Sequence, residues 1–150
     1  MNGDALQVGS VSHVGIVVAD VDVVGEFFEG VLGLRRLYDT SATGSRLRGL
    51  AIDDMLVELV EYPEDHPMRH RSIGVPRMHL GFTVADVAAA CQRALELGVE
   101  VLAPPATVGP ATYCYLQGPE AIVVELVAYE GGARRALDLF DGSSLDTEGP

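Results

Sequence analysis

Positive charge is scarce in this sequence of 150 residues. Lysine is absent, and ten arginines stand against 22 aspartates and glutamates, so the formal net charge is −12 at pH 7 and the pI is near 4.5. Nucleic acids and anionic membranes bind proteins through clusters of positive side chains. The charge balance therefore argues against both as partners.

Cysteine and long apolar runs are scarce as well. Cys91 and Cys114 are too few and too far apart to suggest a disulfide framework or a metal clip, and Cys91 falls on the apolar stripe of a predicted helix, which favours a core position. No apolar stretch approaches the roughly 20 residues that span a bilayer. The opening MNGDALQVGS has neither a basic leader nor an apolar run. We therefore expect a cytoplasmic protein. Hydrophobic residues make up 48% of the sequence, which is enough for a sizeable core.

The sequence instead contains a repeated motif. HVGIVVADV begins at His13 and HLGFTVADV begins at His79, and six of their nine positions are identical. A second pair, MLVELVEY and IVVELVAY, contains Glu58 and Glu125. The histidines lie 66 residues apart and the glutamates 67, so the chain reads as a tandem duplication.

Each half has the pattern of a β-α-β-β-β module. Asp20 and Asp86 stand where helix N-caps belong, and Gly33 and Gly98 follow the helices where a positive φ is needed. The β-branched runs predict strands on either side of each helix. The predicted strands are 11–18, 34–38, 45–52 and 55–62 in the first half, and 78–84, 99–103, 112–116 and 121–129 in the second.

These elements predict one α+β domain made of two modules. We expect an N-terminal extension over residues 1–10, a first module over 11–62, a linker over 63–76 and a second module over 77–130. Residues 131–150 are expected to form a short C-terminal helix followed by an acidic tail.

Strand alternation puts the repeated ionisable side chains on matching faces. His13, Glu58, His79 and Glu125 should all project away from the helices, and two pseudosymmetric sheets would bring them into one concavity. Two carboxylates there would repel each other and lose hydration, and a divalent cation would compensate their charge. Two imidazoles and two carboxylates suit Zn²⁺, Ni²⁺, Co²⁺, Fe²⁺ or Mn²⁺. We therefore predict one divalent metal ion.

Other polar residues fit a ligand role less well. A two-residue turn at Asp53-Asp54 would point Arg46 and Arg48 away from the concavity, towards the surface or a packed helix. His66 and His70 lie in the polar linker and are interpreted as solvated or lid residues. Tyr113 and Tyr115 share one strand face, and whether that face lines the pocket stays open.

The chain resembles the vicinal oxygen chelate superfamily, which includes glyoxalase I, methylmalonyl-CoA epimerase, extradiol dioxygenases and bleomycin-binding proteins. The matching features are HVGIVVADV followed by VLGL, MLVELVEY, HLGFTVADV followed by LELGV, and IVVELVAY, over roughly residues 11–129. The resemblance implies a cupped, mostly antiparallel eight-stranded sheet around a metal. It also implies that His13, Glu58, His79 and Glu125 occupy the four ligand positions.

Three functions follow from this resemblance. The first is a metal-dependent isomerase, epimerase or lyase acting on a small carbonyl compound through an enediolate, with Glu58 or Glu125 carrying the proton as general base and then acid. The second is a non-haem Fe²⁺ oxygenase with His13, His79 and Glu125 as its facial triad. The third is a non-enzymatic drug-binding protein of the bleomycin-resistance kind, which the intact ligand set disfavours.

Two departures from the family pattern bear on the substrate. QGPEAIVVEL replaces the DPDG-type turn before the last glutamate strand, and few arginines are predicted to face the concavity. The sequence therefore shows no site for coenzyme A or glutathione, which favours a different small-molecule carbonyl substrate. Relatives of this size also imply a homodimer.

Overall fold

The computed structural model describes residues 12–72, 79–132 and 136. The chain divides into two compact units, Met1–Ile73 and Gly74–Pro150, and each holds one β-α-β-β-β set. The predicted N-terminal extension, part of the linker and most of the predicted C-terminal helix and tail lie outside the described residues. Among the described residues, no helix is both long and apolar enough to cross a membrane.

The first unit follows the predicted order of elements. Its strands pair in the order β1-β4-β3-β2, with β1 parallel to β4 and the other neighbours antiparallel. The elements are β1 (Val14–Val17), α1 (Val21–Gly30), β2 (Arg35–Ala42), β3 (Ser45–Ile52), β4 (Met55–Glu61) and α2 (Pro67–Ser72).

The second unit repeats this arrangement, with strand order β5-β8-β7-β6 and β5 parallel to β8. Its elements are β5 (His79–Thr83), α3 (Val87–Glu96), β6 (Ala106–Val108), β7 (Ala111–Gln117) and β8 (Val123–Tyr129). The α+β class and the repeated module are thus confirmed. The eight strands form two four-stranded mixed sheets.

Local signals fixed the ends of the two long helices as expected. The Asp20 carboxylate accepts hydrogen bonds from the amides of Asp22 and Val23, and Asp86 accepts one from Ala89. These bonds satisfy amide groups of the first turn that have no partner within the helix. Gly33 and Gly98 have φ of 75° and 78°, as predicted from their positions after the helices.

Two expectations about the strands were wrong. The edge strand of the second sheet is β6, at residues 106–108 rather than 99–103, and Val101 makes only an isolated bridge to Leu116. Strand β2 runs on to Ala42, four residues beyond its predicted end. The short helix α2 lies within the linker, and its residues show no apolar periodicity.

A buried arginine joins α1 to the first sheet. Arg48 of β3 is only 3% exposed and lies beneath the helix, where it donates hydrogen bonds to Asp22 and Asp39 at 2.6 and 2.9 Å (Nη2 and Nε). Gly25 makes this possible, because a Cβ there would collide with the guanidinium. Arg46 also pairs with Asp22, at 2.8 Å. Both arginines therefore lie on the helix side of the sheet, as predicted.

The corresponding contact in the second unit is made by sulfur. Cys91 of α3 and Cys114 of β7 are both buried, and their sulfur atoms are in direct contact. The core position expected for Cys91 is confirmed. The sequence did not predict the pairing, because 23 residues and a change of element separate the two.

Acid should weaken the first unit through Asp22. Hydrogen bonds from Arg46 and Arg48 lower the pKa of this carboxyl from 3.8 to about 2. A carboxyl whose pKa is lower in the folded state adds stability above its unfolded pKa and loses it as the pH falls. We expect the free energy of unfolding to drop between pH 4 and pH 2, and Asp22→Asn to flatten that drop. Urea denaturation across this range tests it, and an equal slope in the variant would contradict it.

Candidate functional site

Register in the two sheets gives Glu58 and Glu125 equivalent positions. Gly15 pairs with Glu58 between β1 and β4, and Gly81 pairs with Glu125 between β5 and β8. Partners in register point to the same side of a sheet, and side chains two residues apart on a strand share a face. His79 therefore shares the face of Glu125. His13 stands two residues before Gly15, just ahead of β1.

The second unit brings its predicted pair into contact. His79 Nε2 lies 3.2 Å from Glu125 Oε2, with the histidine half exposed and the glutamate largely covered. Gly81 stands beside them, and a Cβ at this position would lie 3.3 Å from the same carboxylate oxygen. A larger residue at 81 would therefore crowd Glu125.

Two tyrosines extend this face of the second unit. Tyr115 pairs in register with Glu125, and its ring meets the ring of His79 edge to face at a centroid distance of 5.4 Å. Tyr113 meets Tyr115 in the same way at 5.6 Å. Burial raises the pKa of Tyr115, and the negative charge of Glu125 adds to the effect. The tyrosine pair that the sequence left unassigned thus lies on the Glu125 face.

In the first unit the partner of the glutamate is a tyrosine. Tyr38 Oη donates a hydrogen bond of 2.5 Å to Glu58 Oε2. Burial raises the pKa of Tyr38 to about 12, and this hydrogen bond contributes. His13 Nδ1 instead lies 3.1 Å from the hydroxyl of Ser12.

Sequence reasoning missed Tyr38, because simple alternation from Arg36 places it on the helix side. The register of β2 against β3 shifts between these two residues, since Arg36 pairs with Leu50 and Tyr38 with Gly49. A β-bulge of this kind reverses the alternation beyond it. No local sequence signal marks the bulge, so only strand pairing reveals it.

The linker histidines have separate surroundings. His66 stacks on Tyr62 with ring centroids 4.2 Å apart, and its Nδ1 accepts a hydrogen bond from the amide of Met68. The interpretation of His66 as a solvated or lid residue stays a prediction. The side chain of His70 lies outside the described residues.

The donor atoms of the second unit suit a divalent metal. Within residues 12–72 and 79–132, no three His, Cys, Asp or Glu side chains form a group that could hold an ion, and the contact between His79 and Glu125 joins two donors. Two ligand atoms about 2.1 Å from a tetrahedral zinc ion stand about 3.4 Å apart. The 3.2 Å between His79 Nε2 and Glu125 Oε2 is close to that spacing. The pair therefore fits as part of a metal site.

Comparison with known structures shows the same fold in proteins of several functions. A glyoxylase/bleomycin resistance protein/dioxygenase domain from Frankia sp. is 15% identical, with 83% of this chain and 100% of that one covered and a TM-score of 0.66. TnmS3, an antibiotic-binding protein from a Streptomyces species, is 21% identical over 81% and 97%, with a TM-score of 0.64. A glyoxalase I variant from Zea mays is 17% identical over 77% and 43%, with a TM-score of 0.63.

No curated protein matches the chain. The sequence model of one superfamily, however, matches residues 10–126, which span both repeated modules. This match covers the four residues predicted as metal ligands. The chain belongs to the Glyoxalase/Bleomycin resistance protein/Dioxygenase superfamily.

Proposed function

We propose that the protein is a divalent-metal-dependent enzyme that isomerises, epimerises or cleaves a small carbonyl compound. The contact between His79 and Glu125 carries this proposal, because it joins an imidazole and a carboxylate at metal-ligand spacing on the sheet face away from α3. Glu58 supports it from the equivalent position of the other unit. In both units the glutamate stands opposite a glycine of the parallel strand.

The proposed ligands are His13, Glu58, His79 and Glu125, one histidine and one glutamate from each module. A zinc, nickel, cobalt, iron or manganese ion held by them would act as a Lewis acid towards substrate oxygens and acidify the neighbouring C–H bond. The chain itself would move the proton. Glu58 or Glu125 would accept it from carbon as general base and return it to carbon or oxygen as general acid.

The charges of the first unit support a substrate without a large anionic group. Arg46 and Arg48 are held on the helix side by Asp22, so neither is available as a clamp for phosphate or carboxylate on the Glu58 face. This agrees with the sequence expectation that the substrate is not a coenzyme A or glutathione conjugate. We therefore propose a compact carbonyl compound as the substrate.

A second candidate is a non-enzymatic binding protein. It is favoured by the edge-to-face tyrosines beside Glu125, because tyrosines offer a broad contact area to flat ligands. The similarity in fold to an antibiotic-binding protein agrees with this alternative. Homodimer formation is proposed for either function.

Isotope exchange separates these functions. The purified protein is analysed for metal, then loaded with Zn²⁺, Ni²⁺, Co²⁺ or Fe²⁺ and incubated in D₂O with small α-hydroxy and α-oxo carbonyl compounds. We expect deuterium to enter substrate carbon without O₂ uptake. The double variant Glu58→Gln/Glu125→Gln should stop deuterium exchange, because it removes both candidate proton acceptors. The control variant Glu26→Gln, on the exposed side of α1, should retain the exchange.

Other outcomes identify the alternatives. Activity with Fe²⁺ alone that consumes O₂ would replace the proposal with an oxygenase built on His13, His79 and Glu125. Failure to bind any of the four ions, together with tight binding of a flat ligand, would leave the binding protein.

A further inference from the structure

We propose that Tyr38 is a positioning residue for Glu58, which it holds by one carboxylate oxygen so that the other stays available to a metal ion or a proton. This inference rests on the proposed function. The proposal adds to the site a residue that lies outside the repeated motifs. The β-bulge of the first sheet places Tyr38 there.

The bulge determines which face Tyr38 occupies. Arg36, before the register shift, points to the helix side and bonds Glu29 of α1 at 2.7 Å. Asp39, after it, also lies on the helix side, where it meets Arg48. Tyr38 therefore projects to the opposite face, and Leu37 is the extra residue that makes this possible. Bulges often occur where a side chain must be redirected.

Gly49 provides the passage for the Tyr38 ring. It lies on β3 between Tyr38 and Glu58, and it pairs in register with both. A Cβ at Gly49 would collide with the Tyr38 ring carbons Cε1 and Cζ. The ring can therefore reach across the central strand to Glu58 only because residue 49 has no side chain.

The resulting hydrogen bond restrains the carboxylate. The 2.5 Å distance between Tyr38 Oη and Glu58 Oε2 is in the range of strong O–H···O⁻ bonds to an ionised group. Such a bond fixes the orientation of the carboxylate before a ligand arrives. Groups that orient metal ligands in this way typically contribute a factor of about 10 to 100 in metal affinity.

The second unit supports the assignment by contrast. There, the residue that pairs with the glutamate from the antiparallel strand is Tyr115, where the first unit has Gly49, and the Tyr115 ring packs against His79. Glu125 is contacted by the imidazole, whereas Glu58 is held by a phenol. The two glutamates are thus equivalent in sequence and differ in what restrains them.

Zinc affinity of the full-length protein tests this role, measured by competition with a chromophoric chelator. Tyr38→Phe should weaken zinc binding by about 10- to 100-fold, because the ring stays and only the hydroxyl is lost. The melting temperature of the metal-free protein should change little. Tyr62→Phe is the matched control in the same unit and should bind zinc like the wild type.

Gly49→Ala should cause a similar loss by displacing the Tyr38 ring. If both variants act through the same hydrogen bond, the double variant should lose no more zinc affinity than the single variant with the larger loss. Additive losses would contradict the assignment, as would wild-type affinity in Tyr38→Phe. A wild-type protein that binds none of Zn²⁺, Ni²⁺, Co²⁺ and Fe²⁺ would overturn the proposed function and this role with it, so the two failures are distinguishable.

Discussion

Arg48→Ala is expected to lower the free energy of unfolding by about 3 kcal/mol, near the lower end of the cost of breaking a buried ion pair. The guanidinium is 3% exposed and bonds Asp22, Asp39 and the carbonyl of Val21. Its removal leaves a cavity under α1 and takes the positive partner from two carboxylates. Both carboxylates retain some access to water, which is why the larger values for fully buried pairs are not expected.

Urea denaturation of the variant measures this effect, with Arg93→Ala as the control. Arg93 is 66% exposed and pairs with Glu96 on the surface of α3, so its loss should cost about 0.5 kcal/mol or less. Arg48→Lys should recover only part of the stability, because an ammonium group cannot bond in the planar fork geometry of arginine. If Arg48→Ala costs no more stability than Arg93→Ala, the hydrogen bonds and ion pairs of Arg48 add little to the free energy of unfolding.

Glu125→Ala and His79→Ala are each expected to weaken zinc binding by at least about 100-fold, since changes to groups that merely support a ligand already cost about 10- to 100-fold. The two atoms are 3.2 Å apart, and the proposal makes both of them ligands. The histidine is half exposed, so the metal-free proteins should unfold at temperatures close to that of the wild type.

Isothermal titration with zinc gives the affinities, and differential scanning calorimetry of the metal-free proteins gives their stabilities. Glu26→Ala, on the exposed side of α1, removes the same charge and should bind zinc normally. Wild-type affinity in both His79→Ala and Glu125→Ala would mean that zinc binds elsewhere. Their contact would then be an ordinary hydrogen bond.

The repeat made most of the fold predictable. The paired motifs located both modules. Asp20 and Asp86 located the helix starts, because an N-cap bond spans only two or three residues. The Asp53-Asp54 turn fixed the register of Gly49 opposite Glu58, as expected for a two-residue hairpin. These features are local, so sequence spacing is sufficient to find them.

The edge strand of the second sheet was less predictable for a physical reason. The β-branched and apolar residues around Val99 and Val101 have strand propensity, but β6 forms at residues 106–108. Strand propensity depends on the pairing that the rest of the fold provides, so tertiary pairing outweighs the local strand preference of residues 99–103. The same limit applies to Cys91 and Cys114, which meet because α3 packs on β7.

By itself, the sequence determined the duplicated module and the helix caps, because the module appears as a repeat and each cap spans a single helical turn. It also predicted a common face for His79 and Glu125 from side-chain alternation along two strands, and the register of β5 against β8 agrees with this. The tertiary structure alone decided that Tyr38 reaches Glu58, that Arg48 is buried and that the cysteines are in contact. A bulge, a buried ion network and a contact between elements all depend on which residues a neighbouring element presents. That information is held in the register between strands and in helix packing, which no single segment encodes.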